Sequence, residues 1–221
     1  MSGSTPRAGV LALQGGVAEH ARMLEELGAE VVLVRRERDL VGPEGARLDA
    51  IVLPGGESST QDRLLRLLDL GEPLRAAIEG GMPVLGTCAG LILLAREVLD
   101  PAPGQGSLGL LDVAVRRNAF GAQLVSAEAE FAVEAAGVEG LGEGGAVRGA
   151  LIRAPEIASL GPGARTIVAH DGHVLGATAA DPAAAGEPGR PARLGRVTGI
   201  SFHPELSGDP AFHRALLAHT R

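Results

Sequence analysis

"GMPVLGTCAGLILLA", residues 81–95, sets a short apolar run against a glycine, the chain's single cysteine, an Ala-Gly pair and a second apolar run. "PVLG" (83–86) reads as a buried strand, and "AGLILLAREVLD" (89–100) reads as a helix that continues to Pro101 and the Pro/Gly-rich "PAPGQGSLG". A strand that turns through one residue into a helix is a unit of an α/β sheet, and it sets Cys88 on a tight turn above that sheet. Small neighbours suit such a turn: Gly86 and Gly90 allow close approach, while Thr87 and Ala89 leave room around the sulfur. A helix that starts at the cysteine brings its positive dipole and unpaired N–H groups, Ala89's among them, to the sulfur, which suits a nucleophile and an oxyanion. A plainer reading stands beside it, because a lone free cysteine is among the most buried residue types and commonly only packs.

The same cadence runs through the first half of the chain. "AGVLAL" (8–13), "EVVLV" (30–34) and "DAIVLPGG" (49–56) read as strands, and "GVAEHARMLEELGA" (16–29) reads as a helix from Val17, Ala21, Leu24 and Leu27 at helical spacing. "SSTQDRLLRLLDL" (58–70), capped by Ser58 or Ser59, and "GEPLRAAIEGG" (71–81) add two more helices. From about residue 108 the texture changes to strand-like pieces between glycines: "LLDVAVRR" (110–117), "FAVEA" (131–135), "ALIRAP" (150–155), "RTIVAH" (165–170) and "HVLGATA" (173–179). "ADPAAAGEPGRPARLGR" (180–196) reads as an exposed loop, "VTGISFHPEL" (197–206) as a strand entering a turn, and "DPAFHRALLAHT" (209–220) as a closing helix with Pro210 in its first turn. The expected architecture is α/β: a doubly wound, mostly parallel central sheet with additional antiparallel strands, in one domain spanning 1–221.

Composition narrows the function. The chain has 221 residues, with 27 acidic against 20 basic side chains, and no basic run that would follow a phosphate backbone. Four Phe and no Trp or Tyr leave no platform for stacked bases. Nucleic acid is therefore not an expected partner. No apolar run approaches the roughly 20 residues of a spanning helix, so no membrane role is expected either. One cysteine excludes an intramolecular disulfide, and the start "MSGSTPRAGVLAL" lacks the basic and long apolar regions of a secretory signal, so a cytoplasmic setting is expected. No metal site and no cofactor are expected.

A thiol nucleophile needs a base. Of the six histidines, His20, His170, His173, His213 and His219 fall in amphipathic helices or a turn, where surface positions explain them. His203 follows the apolar strand end "GISF" and precedes Pro204 and Glu205. In extended chain, side chains two apart share a face, so Glu205 can fix the tautomer of His203 while the other ring nitrogen meets a nucleophile. By itself the tripeptide could also be a strand end with a surface turn. In a doubly wound sheet, however, parallel strand ends converge on one edge, where both "VLGTC" and "GISFHPE" stop. "LPGGESST" (53–60) ends a third such strand: Gly55 and Gly56 offer backbone donors, and Glu57 or Ser58 offers a polar contact. It lacks the lysine of a phosphate loop, which suits an anionic or zwitterionic small molecule, though alone it could be a capped Gly-rich turn.

"PGGES", "GTCAG" and the late "HPE" together resemble the class I glutamine amidotransferase family. "LQGG", "RNAFG" and "IRAP" bring the likeness closer to the glutaminase subunits of pyridoxal 5'-phosphate synthases, in order over nearly the whole chain. The resemblance implies a flavodoxin-like amidotransferase fold and hydrolysis of L-glutamine to glutamate and ammonia. It implies Cys88 as nucleophile, with His203 oriented by Glu205. Gly55, Gly56, Glu57, Arg117, Ile152 and Arg153 would bind glutamine, and Gln14 and Ala89 would shape the oxyanion site. The implied partner is the barrel-shaped pyridoxal 5'-phosphate synthase subunit that receives the ammonia; the chain has no lysine for Schiff-base or phosphate chemistry of its own. Two alternatives are a glutaminase serving another synthase, which the three specific segments oppose, and a non-catalytic relative, which the complete Cys88, His203 and Glu205 set opposes. The sequence departs from the family pattern at Ala122, where an arginine is common, at "GGVAEH" in place of "GAVREH", and in the length of the 180–196 loop.

Overall fold

Strand β1 (Arg7–Leu11) turns into helix α1 (Val17–Glu26) and returns as β2 (Glu30–Val34), followed by the short α2 (Glu37–Leu40) and β3 (Ala50–Leu53). Helices α3 (Ser58–Leu67) and α4 (Gly71–Glu79) lead to β4 (Val84–Thr87), α5 (Ala89–Leu94) and β5 (Ala95–Val98). The second half is β6 (Leu111–Arg116), β7 (Ala127–Ala132), β8 (Ala146–Leu151), β9 (Glu156–Leu160), β10 (Ala164–His170), β11 (His173–Ala179), β12 (Val197–Ile200) and α6 (Ala211–Leu217). This computed structural model describes residues 5–40, 48–119, 127–134, 141, 145–180 and 193–220. The position of Ala122 and most of the 180–196 loop lie outside those residues.

The main sheet runs β2-β1-β3-β4-β12-β11-β9-β6-β5, with β10 paired to β11, while β7 and β8 form a separate hairpin. The five strands from β2 to β12 are parallel. Beyond them, β11, β9 and β6 pair antiparallel. Residues alternate faces along a strand, and here both faces are apolar, as a sheet covered on both sides requires. Ala8, Val10, Ala50, Val52, Leu85 and Ile200 share one core with Leu24 of α1 and Phe212 of α6. Leu11, Ile51, Leu53 and Val84 share the other with Leu65 of α3, Leu74 of α4 and Leu91 of α5. Each fully buried leucine on these faces is worth about 1.5–3 kcal/mol of burial. The parallel strand order is that of a flavodoxin-like sheet, whose ligand crevice lies outside the carboxyl ends of the strands. Among the described residues, no helix is long and apolar enough to cross a membrane.

Four expectations need correction. The helix after Cys88 stops at Leu94: Ala95 adopts φ −55°, ψ 145°, and the next residues form β5, paired parallel with β6. Helical pattern is a weak prior there, because extending α5 would leave the edge of β6 without backbone partners. The hairpin strands β7 and β8 begin four residues earlier than "FAVEA" and "ALIRAP" suggest, and β9 was not expected. Helix α3 is capped by Glu57, whose carboxylate accepts from the Thr60 N–H at 2.9 Å, and not by Ser58 or Ser59. Glu205 lies in a turn after β12, not in extended chain.

Candidate active site

The carboxyl ends of β1, β3, β4 and β12 converge, and the crevice beyond them is a cavity of about 580 Å³, within the size range of small-molecule sites. Gln14, Gly55, Gly56, Glu57, Cys88, Arg117, Ile152, Arg153, His203 and Glu205 all line it. Every predicted site residue is therefore brought together except Ala89, whose side chain is buried beside the elbow. Asn118, Ile92 and Leu206 also line the cavity; nothing in the sequence singled them out.

Cys88 stands between β4 and α5 with φ 47° and ψ −100°, a left-handed conformation that a non-glycine residue pays for in strain. Its backbone N–H donates to the Ile200 carbonyl at 2.8 Å, which ties the elbow to β12. The bend depends on Gly90, where an added Cβ would stand 2.0 Å from the Leu53 carbonyl oxygen. The first-turn amides of α5 have no carbonyl four residues earlier to accept from them, so this turn offers donors for an oxyanion.

His203 reaches the same cavity from the segment after β12. Its backbone is pinned by a two-bond bridge to Ala150 of β8, at 2.9 and 3.2 Å. Its ring lies against Gly55, where an added Cβ would stand 2.2 Å from Cε1, so only glycine fits beneath the imidazole. His203 Nδ1 is 2.7 Å from Glu205 Oε1. Burial disfavours a charged ring, but hydrogen bonds to Cys88 and Glu205, and the charges of both, push His203 up to about 10. Burial by itself would raise the Glu205 carboxyl; the imidazoles of His20 and His203 beside it, and the charge of the protonated His203 ring, hold it well below the ordinary carboxylate range. A carboxylate that stays ionised beside a ring that holds its proton is the electrostatic arrangement of a nucleophile, its base and the base's orienting group.

The cradle beside this set is internally braced. Gln14 Oε1 accepts the Glu57 N–H at 2.8 Å, and Gly55 gives its N–H to Thr87 Oγ1 at 2.9 Å. The Gly55 donor expected to face a ligand is thus used within the protein. Glu57 is held by Ser59 and Thr60 and meets Arg117 at 3.3 Å. Partial burial would raise the Glu57 carboxyl, but those hydrogen bonds and the Arg117 charge keep it below its ordinary value. Arg117 is not a solvated strand edge: it also donates to Gln105 Oε1 at 2.8 Å. Arg116 is the edge residue and pairs with Glu156 at 3.2 Å. Arg153 has φ 45° and no ion pair among the described residues, which leaves a guanidinium at the cavity wall. No group of three or more His, Cys, Asp or Glu among the described residues is disposed to hold a metal ion.

Two histidines read as surface residues are buried. His20 of α1 and His213 of α6 are both fully inaccessible, and His20 Nδ1 lies 2.8 Å from His213 Nε2. His20 Nε2 approaches Thr87 Oγ1 at 3.1 Å and Glu205 Oε1 at 3.4 Å. The apolar positions of α1 predicted its buried face correctly, but a histidine one turn from Met23 and Leu24 gave no local sign of a polar partner across the sheet.

The SNO glutamine amidotransferase family matches residues 10–219. The pyridoxal 5'-phosphate synthase subunit PdxT of Parafrankia sp. (strain EAN1pec) is 49% identical over 99% of this chain and 95% of its own. The protein of the same name from Clavibacter sepedonicus is 45% identical over 98% and 95%. A solved glutamine amidotransferase superposes with a TM-score of 0.78 at 38% identity, covering 96% of this chain and 98% of its own. PurLQS from Thermotoga maritima, at TM-score 0.65 and 17% identity over 98% of this chain and 100% of its own, shares the fold.

Proposed function

The chain belongs to the SNO glutamine amidotransferase family, and on that premise we propose that it hydrolyses L-glutamine to glutamate and ammonia through Cys88, His203 and Glu205. It acts as the glutaminase subunit of a pyridoxal 5'-phosphate synthase, a single domain spanning 1–221 that delivers ammonia to a barrel-shaped synthase subunit. The observation that carries this reading is the meeting of Cys88 with the His203–Glu205 pair, 2.7 Å apart, in one cavity with a charged cradle. The relatives named as synthase subunits PdxT support the choice of complex.

In this reading, Cys88 Sγ attacks the side-chain amide carbon of glutamine, and the amide oxygen becomes an oxyanion beside the Ala89 amide and the Gln14 loop. The tetrahedral adduct collapses as His203 protonates the departing nitrogen, leaving a thioester and ammonia. His203 then takes a proton from water, whose oxygen attacks the thioester and releases glutamate with the thiol restored. Glu205 keeps His203 Nδ1 protonated and its Nε2 directed at the sulfur. Arg117 and Arg153 suit the substrate α-carboxylate, since a guanidinium pairs with a carboxylate through two N–H donors, and Glu57 suits the α-ammonium. Gly55, Gly56 and Ile152 complete the wall. A cytoplasmic setting keeps the single thiol reduced.

Glutamate release is measured with and without the synthase subunit. Wild type is expected to release glutamate when the synthase is present, and Cys88→Ala to lose at least about 10³-fold in kcat. His203→Asn is expected to lose hydrolysis yet co-elute with the synthase. Wild-type turnover in Cys88→Ala would refute the assignment.

A further inference from the structure

We propose that His20 is a positioning residue for the Glu205 carboxylate, directing an Nε2–H at Oε1, and that His213 holds His20 in that tautomer. The proposal deepens the glutaminase reading above and rests on it for its kinetic consequence. Glu205 has no solvent contact: its side chain is completely buried, Oε1 takes His203 Nδ1 at 2.7 Å, and Oε2 has no hydrogen-bond partner among the described residues. His20 supplies a second approach to the same oxygen at 3.4 Å, so the orientation of the carboxylate does not rest on the His203 bond alone. That distance is long for a full hydrogen bond, and Thr87 Oγ1 at 3.1 Å shares the proton.

The direction of each bond follows from what the atoms can do. An ionised carboxylate only accepts, so a bare lone pair on His20 Nε2 would face it repulsively; the proton belongs on Nε2. At its other nitrogen, His20 Nδ1 lies 2.8 Å from His213 Nε2, so one of the two rings donates to the other there. His213 Nδ1 has no partner among the described residues. A buried lone pair left bare costs less than a buried N–H left bare, so His213 carries its proton on Nε2 and donates it to His20 Nδ1, which leaves the His20 proton on Nε2. Complete burial pushes His213 down to about 3, so it is neutral at physiological pH and carries a single proton to give. The chain therefore runs from His213 to His20 to Glu205, opposite His203 on the same oxygen. Thr87, which precedes Cys88 and accepts the Gly55 N–H, ties it to both elbow and cradle.

The test uses the full ¹⁵N-labelled chain and long-range ¹H–¹⁵N correlation of the histidine rings at neutral pH, assigned with His20→Gln and His213→Gln. Nε2–H tautomers for both His20 and His213 are expected; an Nδ1–H tautomer at either overturns the assigned direction. Kinetics with the synthase subunit present test the consequence. His20→Leu is expected to lower kcat about 10–100-fold with KM within about twofold, as loss of an outer partner does. His20→Gln, whose amide can reach the place of Nε2–H, is expected to recover most of that loss. Wild-type kcat in His20→Leu, or equal losses in both variants, would reduce His20 to packing. If wild type hydrolyses no glutamine, the glutaminase reading falls instead, and the tautomers still decide the hydrogen-bond chain.

Discussion

Gln14, Gly55, Cys88 and His203 stand at the ends of four adjacent parallel strands, whereas Arg117, Ile152 and Arg153 come from the antiparallel strands and hairpin beside them. The first group is held by close backbone approach: Gly90 against Leu53, Gly55 beneath the His203 ring, Cys88 N–H on Ile200. The second group is more open. Ile152 is 38% exposed, and Arg153 extends from a left-handed turn just past β8. A packed sheet edge with no spare volume suits atoms that must meet within tenths of an ångström, while a more open wall suits residues that grip a flexible zwitterion.

That contrast predicts where a small change is costly. Gly55→Ala adds one methyl group on the packed side, under the His203 ring. It is expected to lower kcat about 100-fold, since displacing a base by about 1 Å costs that much. A steady-state assay that finds near-normal kcat would mean the ring has more room than its contact with Gly55 allows. On the open side, Arg153→Leu removes a whole charged group, yet it is expected to raise KM for glutamine about 10-fold with kcat within about twofold, as lost ground-state binding does. A kcat loss larger than the KM change would move Arg153 into the reacting geometry and blur the two regions.

The smallest effect is on stability against pH, where the buried rings act with opposite signs. His213 is pushed from 6.5 down to about 3, so the unfolded chain takes its proton first. Its contribution is whole above about 6.5 and is lost as pH falls toward 3. His203 is pushed from 6.5 up to about 10, so its contribution is whole below 6.5 and is lost as pH rises through about 10. Thermal melts across this span should show Tm falling a few degrees on each side of a maximum near pH 6.5. His213→Leu is expected to flatten the acid limb and His203→Asn the alkaline one. Arg116→Ala, which breaks an exposed pair with Glu156, is expected to leave both limbs unchanged, since such pairs are worth about 0–1 kcal/mol. An altered limb in that variant would erase the distinction.

The parallel half was legible because its signals are local. Runs of four or five apolar residues, "PGG", the elbow glycines and "HPE" each describe their own few residues, and the strand ends converge as a doubly wound sheet requires. The antiparallel half was legible in texture but not in boundaries, since β5 exists only through its pairing with β6, and β8 is positioned partly by a bridge to His203 more than 50 residues away. The misread cap of α3 has the same origin. Ser58 and Ser59 look like caps in isolation, but Glu57 is drawn to the helix start while Gln14 holds its backbone N–H.

By itself the sequence determined the fold class, the place of the thiol at a strand-to-helix turn, and the pairing of His203 with Glu205, because each depends on residues a few positions apart. Only the tertiary structure decided that His20 and His213, 193 residues apart, meet beside the Glu205 carboxylate. It also decided that Gly55 is a seat for an imidazole. Burial and hydrogen-bond partnership are properties of the packed sheet, and no stretch of chain carries them alone.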